Sequence, residues 1–135
     1  MTDDQGRRAL IIEPDPRVRH ELEEALARRG WSTVGAASSE EAFEQLDAHE
    51  PPGLVFIGLL ASPREEWLFG RWMERDPRLR DAVLMVASED RPGEFEVHVD
   101  GQLERPPGNG FSLEAAIQFG ETHLARGSAA EAAPA

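Results

Sequence analysis

The sequence contains no cysteine and no lysine. Without cysteine there is no disulfide, no thiolate metal site and no cysteine nucleophile. Without lysine there is no Schiff base and no P-loop lysine; all 14 basic side chains are arginine. Basic charge is scarce against 26 acidic residues, and the formal net charge is −12. Nucleic-acid binding needs a basic face and anionic membranes attract basic segments, so both partners are disfavoured. The acidity instead suits a protein partner with a basic patch, whose encounter it would speed. Long apolar runs are also missing: none reaches the length of a signal sequence or a membrane span, and residues 1–6 are acidic. The expectation is a soluble, cytoplasmic protein. The four histidines, His20, His49, His98 and His123, show no ligand spacing and are expected at the surface or its boundary.

What is present fits one globular domain. The chain has 135 residues, of which 40% are hydrophobic, enough to bury a core without staples. Ala9-Leu10-Ile11-Ile12, Leu54-Val55-Phe56-Ile57 and Ala82-Val83-Leu84-Met85-Val86-Ala87 are continuous apolar runs of strand length, as in strands buried on both faces. Between them lie amphipathic stretches with start signals. Asp15-Pro16 opens a helix to about Arg29, with Val18, Leu22, Ala25 and Leu26 inward and Gly30 as its stop. Trp31 to Ala37 reads as a strand. Ser38 and Glu41 have capping-box spacing before Ala42, Phe43 and Leu46. Residues 64–75 read as a third helix, and Ser112 caps a last one with Leu113, Ala116, Ile117 and Leu124 inward.

Strands alternating with helices imply βαβ units. The expected fold class is α/β, a five-stranded parallel doubly wound sheet of order 2-1-3-4-5, flavodoxin-like. One stretch departs from the pattern. Phe95, Val97 and Val99 alternate with Glu96, His98 and Asp100 after the Pro92-Gly93 break, a period of two. It reads as extended or irregular, so a fourth helix is short, irregular or absent, and Gln102-Leu103-Glu104 is the fifth strand. Residues 7–126 form the domain, 1–6 a flexible N-terminus, and 127–135 a disordered tail or the start of a linker.

The strand ends resemble the receiver domains of bacterial two-component response regulators. Arg8-Ala9-Leu10-Ile11-Ile12-Glu13-Pro14-Asp15-Pro16 is similar to their first strand and acidic turn. Residues 52–59 resemble their third strand, and 76–86 the run from third helix into fourth strand. Asp100-Gly101-Gln102-Leu103-Glu104-Arg105-Pro106 resembles the fifth strand with its basic residue–proline pair. The resemblance implies a protein that accepts phosphate on an aspartate, beside a Mg²⁺ that wants about six oxygen ligands.

The departures bear on the function. By that resemblance the phosphoacceptor position is Gly58, which has no side chain. The metal-binding acid pair falls on Glu13-Pro14, the phosphoryl-binding hydroxyl on Ala87, the aromatic switch on Gln102, and the lysine on Arg105. Arginine keeps the charge, but its planar fork does not replace a flexible ammonium. The resemblance therefore implies a pseudo-receiver: not an enzyme, with no cofactor and no resident metal. Glu13 and Asp15 would hold a cation weakly at most, because two carboxylates make a poor Mg²⁺ cage. Asp15 is expected to cap a helix, Arg105 to pair with Glu13 or Asp15, and Gly58 to reflect simple loss. Leu68 and Trp72 lie one turn apart on the expected third helix, as a docking surface or as a cover over bare sheet. The leading function is a phosphorylation-independent adaptor, scaffold or localisation module in bacterial signalling, with a protein partner or a second copy of itself. The alternatives are a receiver with an unusual phosphorylation or ligand response, and a flavin-binding flavodoxin-like protein, disfavoured by the Glu-Pro-Asp-Pro turn where a phosphate cradle would be.

Overall fold

The computed structural model describes residues 7–58, 71, 75–79, 81–87, 93–99, 102–104 and 111–132. The three apolar runs form β1 (Arg8–Ile12), β3 (Leu54–Ile57) and β4 (Val83–Ala87), joined at one edge by β2 (Ser32–Ala36). These four are parallel, in the order β2-β1-β3-β4, with Ile12 opposite both Ala36 and Ile57, and Ile57 opposite Val86. Each apolar run feeds both faces of the sheet. Ala9, Ile11, Leu54, Phe56, Val83 and Met85 enter one core, and Leu10, Ile12, Val55 and Ile57 the other.

Helix α1 (Pro16–Ala27) covers the first face with Leu22 and Leu26, and α2 (Ser39–Ala48) the second with Ala42 and Leu46. Their starts follow the capping signals. Asp15 accepts the Arg17 amide at 2.9 Å, and Ser38 accepts that of Glu41 at 3.2 Å. The Glu41 carboxylate reaches back to the Ala37 amide at 2.7 Å. Gly30 ends the first unit at φ +86°, a left-handed conformation that glycine adopts without strain. Two expected core residues lie further out: Val18 is 39% and Phe43 36% exposed. In α2 the buried stripe is the i, i+4 pair Ala42 and Leu46, and Phe43 sits about 100° round from Ala42.

The sheet departs from the all-parallel expectation beyond β4. Residues Glu94–Val99 form β5, antiparallel to β4, with Met85 opposite Val97 and Ala87 opposite Phe95. The period of two is the cause: Phe95, Val97 and Val99 go to the core, while Glu96 is exposed. A strand therefore stands in the stretch where the fourth helix of a doubly wound fold would be. The expected fifth strand, β6 (Gln102–Glu104), forms one place further out, antiparallel to β5 and so running in the direction of β4. A short β7 (Phe111–Ser112) pairs with the other half of β5.

The last helix, α3 (Leu113–Ala132), packs on the α1 face through Ala116 and Ile117. Ser112 accepts the Ala115 amide at 3.2 Å at its start. Gly120 lets the helix approach the sheet: a Cβ there would lie 2.6 Å from Leu54 Cδ2 and 2.8 Å from Met85 Cε. The helix runs to Ala132, which corrects the expected tail from residue 127. One glycine in an alanine-rich stretch costs about 1 kcal/mol, too little to stop it. Residues 1–6 and 133–135 lie outside the described residues, as does the expected third helix apart from Arg71 and Arg75.

Candidate functional site

The site the sequence points to lies at the carboxyl ends of β1, β3 and β4. Glu13 follows Ile12, Gly58 follows Ile57, and Ala87 ends β4 beside them. Backbone bonds continue the sheet past its last paired residues: Gly58 donates to the Ile12 carbonyl at 2.8 Å and Glu13 to that of Ala36 at 2.9 Å. The structure thus brings Glu13, Pro14, Asp15, Gly58 and Ala87 to one end of the sheet.

Gln102 is not among them. It pairs with Val99, one residue beyond His98, which is opposite Leu84 near the start of β4. The register therefore sets Gln102 at the opposite end of the sheet, with β5 between it and β4. The expected fifth strand forms, but the intervening antiparallel strand moves Gln102 away from the pocket. Arg105, Leu68 and Trp72 lie outside the described residues, so the expected pairing of Arg105 with Glu13 or Asp15 does too.

Among the described residues Glu13 is the one charged side chain that is buried, at 8% exposure. Its carboxylate accepts the Asp15 amide at 2.9 Å, and its backbone carbonyl accepts Arg19 Nη1 at 2.7 Å. Arg19 reaches that carbonyl across Gly35, where an added Cβ would lie 3.0 Å from Arg19 Cδ. Pro14 and Pro16 flank Asp15 and carry no amide hydrogen, so the turn exposes few donors. Both carboxylates of the turn are committed to main-chain amides, Glu13 to Asp15 and Asp15 to Arg17. Among the described residues no cluster of three or more His, Asp or Glu side chains is arranged around a metal-sized space.

The Glu13 side chain lies over Gly58. A Cβ on residue 58 would fall 2.6 Å from Glu13 Cδ and closer still to Oε1. The space into which a side chain at position 58 would project is filled by the Glu13 carboxylate, one residue past the end of β1. As arranged, this end of the sheet offers no nucleophile at position 58 and no side-chain donor at Ala87.

A second polar cluster, at the far end of α1, went unnoticed in the sequence. Glu121 of α3 accepts Arg29 Nη2 at 2.6 Å, Arg29 Nε at 3.2 Å and Trp31 Nε1 at 2.9 Å. Arg7 lies over the Trp31 ring, 5.4 Å from its centroid, and donates to the Arg29 carbonyl at 2.6 Å. The Arg29 hydrogen bonds hold the Glu121 carboxyl below its usual range, against some desolvation, and the same contact raises Arg29. The cluster pins α3 to the junction of α1 and β2. No local signal announces it, since Arg29 and Glu121 are 92 residues apart. The histidines lie where expected: His20 and His49 are exposed, His98 and His123 half-buried.

No protein-family model matches the sequence, and no curated protein matches it either. Solved structures do. The N-terminal domain of a response regulator receiver protein from Methanoculleus marisnigri JR1 aligns over 92% of this chain and 93% of its own, with a TM-score of 0.53 and 23% identity. A sensor protein from Polaromonas sp. JS666 aligns over 59% of this chain, with a TM-score of 0.53 and 28% identity. That match spans 63% of the sensor protein's length. The fold is thus of the receiver type, mostly parallel, with an antiparallel margin. Among the described residues no helix is long and apolar enough to cross a membrane.

Proposed function

We propose that this chain is a signalling module of the two-component type that works by protein–protein contact and without phosphorylation, as an adaptor, scaffold or localisation domain. The receiver fold supports the signalling class. The observation that carries the phosphorylation-independent part is Gly58: the strand end where the family resemblance expects the acceptor aspartate has no side chain, and Glu13 occupies the space. Aspartyl phosphorylation needs a carboxylate nucleophile in line with the phosphoryl donor and a metal to neutralise developing charge. Position 58 supplies no nucleophile, and the Glu13 and Asp15 carboxylates are engaged with the backbone.

The partner this reading favours is a protein with a basic patch, given the net charge of −12. The departure at β5 supports a partner choice unlike that of an ordinary receiver, because a strand of alternating buried and polar residues replaces a helix near one edge of the sheet. The module performs no chemistry of its own in this account. The test is an amide NMR titration with Mg²⁺ and beryllofluoride, which mimics a phosphoryl group on a carboxylate. The amide signals of Glu13, Asp15, Gly58 and Ala87 are expected to stay unchanged. Saturable shifts there would overturn the reading.

A further inference from the structure

We propose that Glu13 is a resident plug of the acceptor pocket and that Gly58 is the residue that makes room for it. This deepens the function proposed above and rests on it only in taking position 58 as the acceptor position. Simple loss of an aspartate would leave a vacant pocket and any small residue at its base. Instead the two residues fit one another. Glu13 leaves β1 with its amide bound to Ala36, its carbonyl to Arg19 and its carboxylate to the Asp15 amide. Held at three points, its side chain takes the space that a Cβ at position 58 would fill.

Backbone strain does not explain the glycine, because Gly58 is not among the positive-φ glycines. Space does. A Cβ at 58 would meet Glu13 Cδ at 2.6 Å and Glu13 Cβ at 3.4 Å. The first distance is far inside van der Waals contact. The carboxylate is the movable end of its side chain, so it would have to swing out and give up the Asp15 amide. Glu13 therefore sets a carboxylate in the pocket, held there by a main-chain amide. The same bond ties the β1–α1 turn to the plug, because the amide that holds Glu13 is that of Asp15, the α1 cap.

Thermal denaturation of the full chain tests the interlock through a double-mutant cycle. On the natural background Gly58→Ala is expected to lower Tm by about 5 °C, the effect of overpacking and a displaced hydrogen bond. On a Glu13→Ala background the same substitution is expected to raise Tm by about 2 °C, since alanine at a permissive backbone restricts the unfolded chain. This reversal of sign is the signature of the plug. An equal drop on both backgrounds overturns it. If Gly58→Ala alone yields no folded protein, rescue of folding by Glu13→Ala in the double variant supports the plug, and absence of rescue overturns it. Treatment of the natural chain with acetyl phosphate and Mg²⁺ separates the two claims: uptake of phosphate would sink the proposed function, whereas the cycle alone decides on the plug.

Discussion

Replacing Glu121 by glutamine removes the charge that holds Arg29 while leaving an oxygen for the Trp31 indole. Three hydrogen bonds converge on this carboxylate, two from Arg29 at 2.6 and 3.2 Å and one from Trp31 at 2.9 Å. Charge-assisted bonds of this kind contribute about 1.5–3 kcal/mol each when buried. The Arg29 side chain is 37% exposed and that of Glu121 18%, so water screens the pair and the expected loss is nearer to 1 kcal/mol. For a chain of this size that lowers Tm by about 4 °C.

The pH dependence gives the sharper test. Arg29 holds the Glu121 carboxyl below its usual range in the folded protein. The unfolded chain then binds the proton more readily than the folded one. The stabilisation is therefore fully present at neutral pH and is lost as pH falls from the ordinary carboxylate range through the depressed value. Urea unfolding of the natural chain and Glu121→Gln at a series of pH values should show two curves that converge as the solution is acidified, with equal slopes against urea. Glu114→Gln is the control. Glu114 is exposed on the same helix and acts on Arg29 only as the weakest of four influences, so it should change little at any pH. A Glu121→Gln deficit that persists undiminished in acid, or none at neutral pH, would refute the pin.

Leu26 is fully buried in the α1 face, and Leu26→Ala should lose about 2–5 kcal/mol in urea unfolding. Gly120→Ala places a methyl group 2.6 Å from Leu54 Cδ2; overpacking of about 1–3 kcal/mol should outweigh the gain in helix propensity, so a raised Tm would contradict the close approach of α3. Asp15→Ala removes the α1 cap seen at 2.9 Å and should lose about 1 kcal/mol by the same measurement.

Strands β1, β3 and β4 were legible because a run of four or five apolar residues has few other ways to be buried. The caps at Asp15, Ser38 and Ser112 were legible because they act within three residues. The alternation at residues 95–99 was legible as extended chain, but its direction was not. Antiparallel pairing with β4 depends on what lies across the sheet, and that displaced Gln102 from the pocket. At the candidate site, the glycine at position 58 was apparent from the family resemblance. The Glu13 side chain lying over it was not, because the path of Glu13 depends on Arg19, Ala36 and the turn amides together. The Arg29–Glu121 pin was invisible for a related cause: no local pattern links residues 92 positions apart, one in the turn after α1 and the other on α3.

The proposed function requires a pocket that takes no phosphate. The most direct measurement is intact-protein mass spectrometry after incubation with acetyl phosphate and Mg²⁺, with hydroxylamine treatment to reveal acyl phosphates. The natural chain is predicted to keep its mass. A hydroxylamine-sensitive phosphoryl adduct would contradict the account.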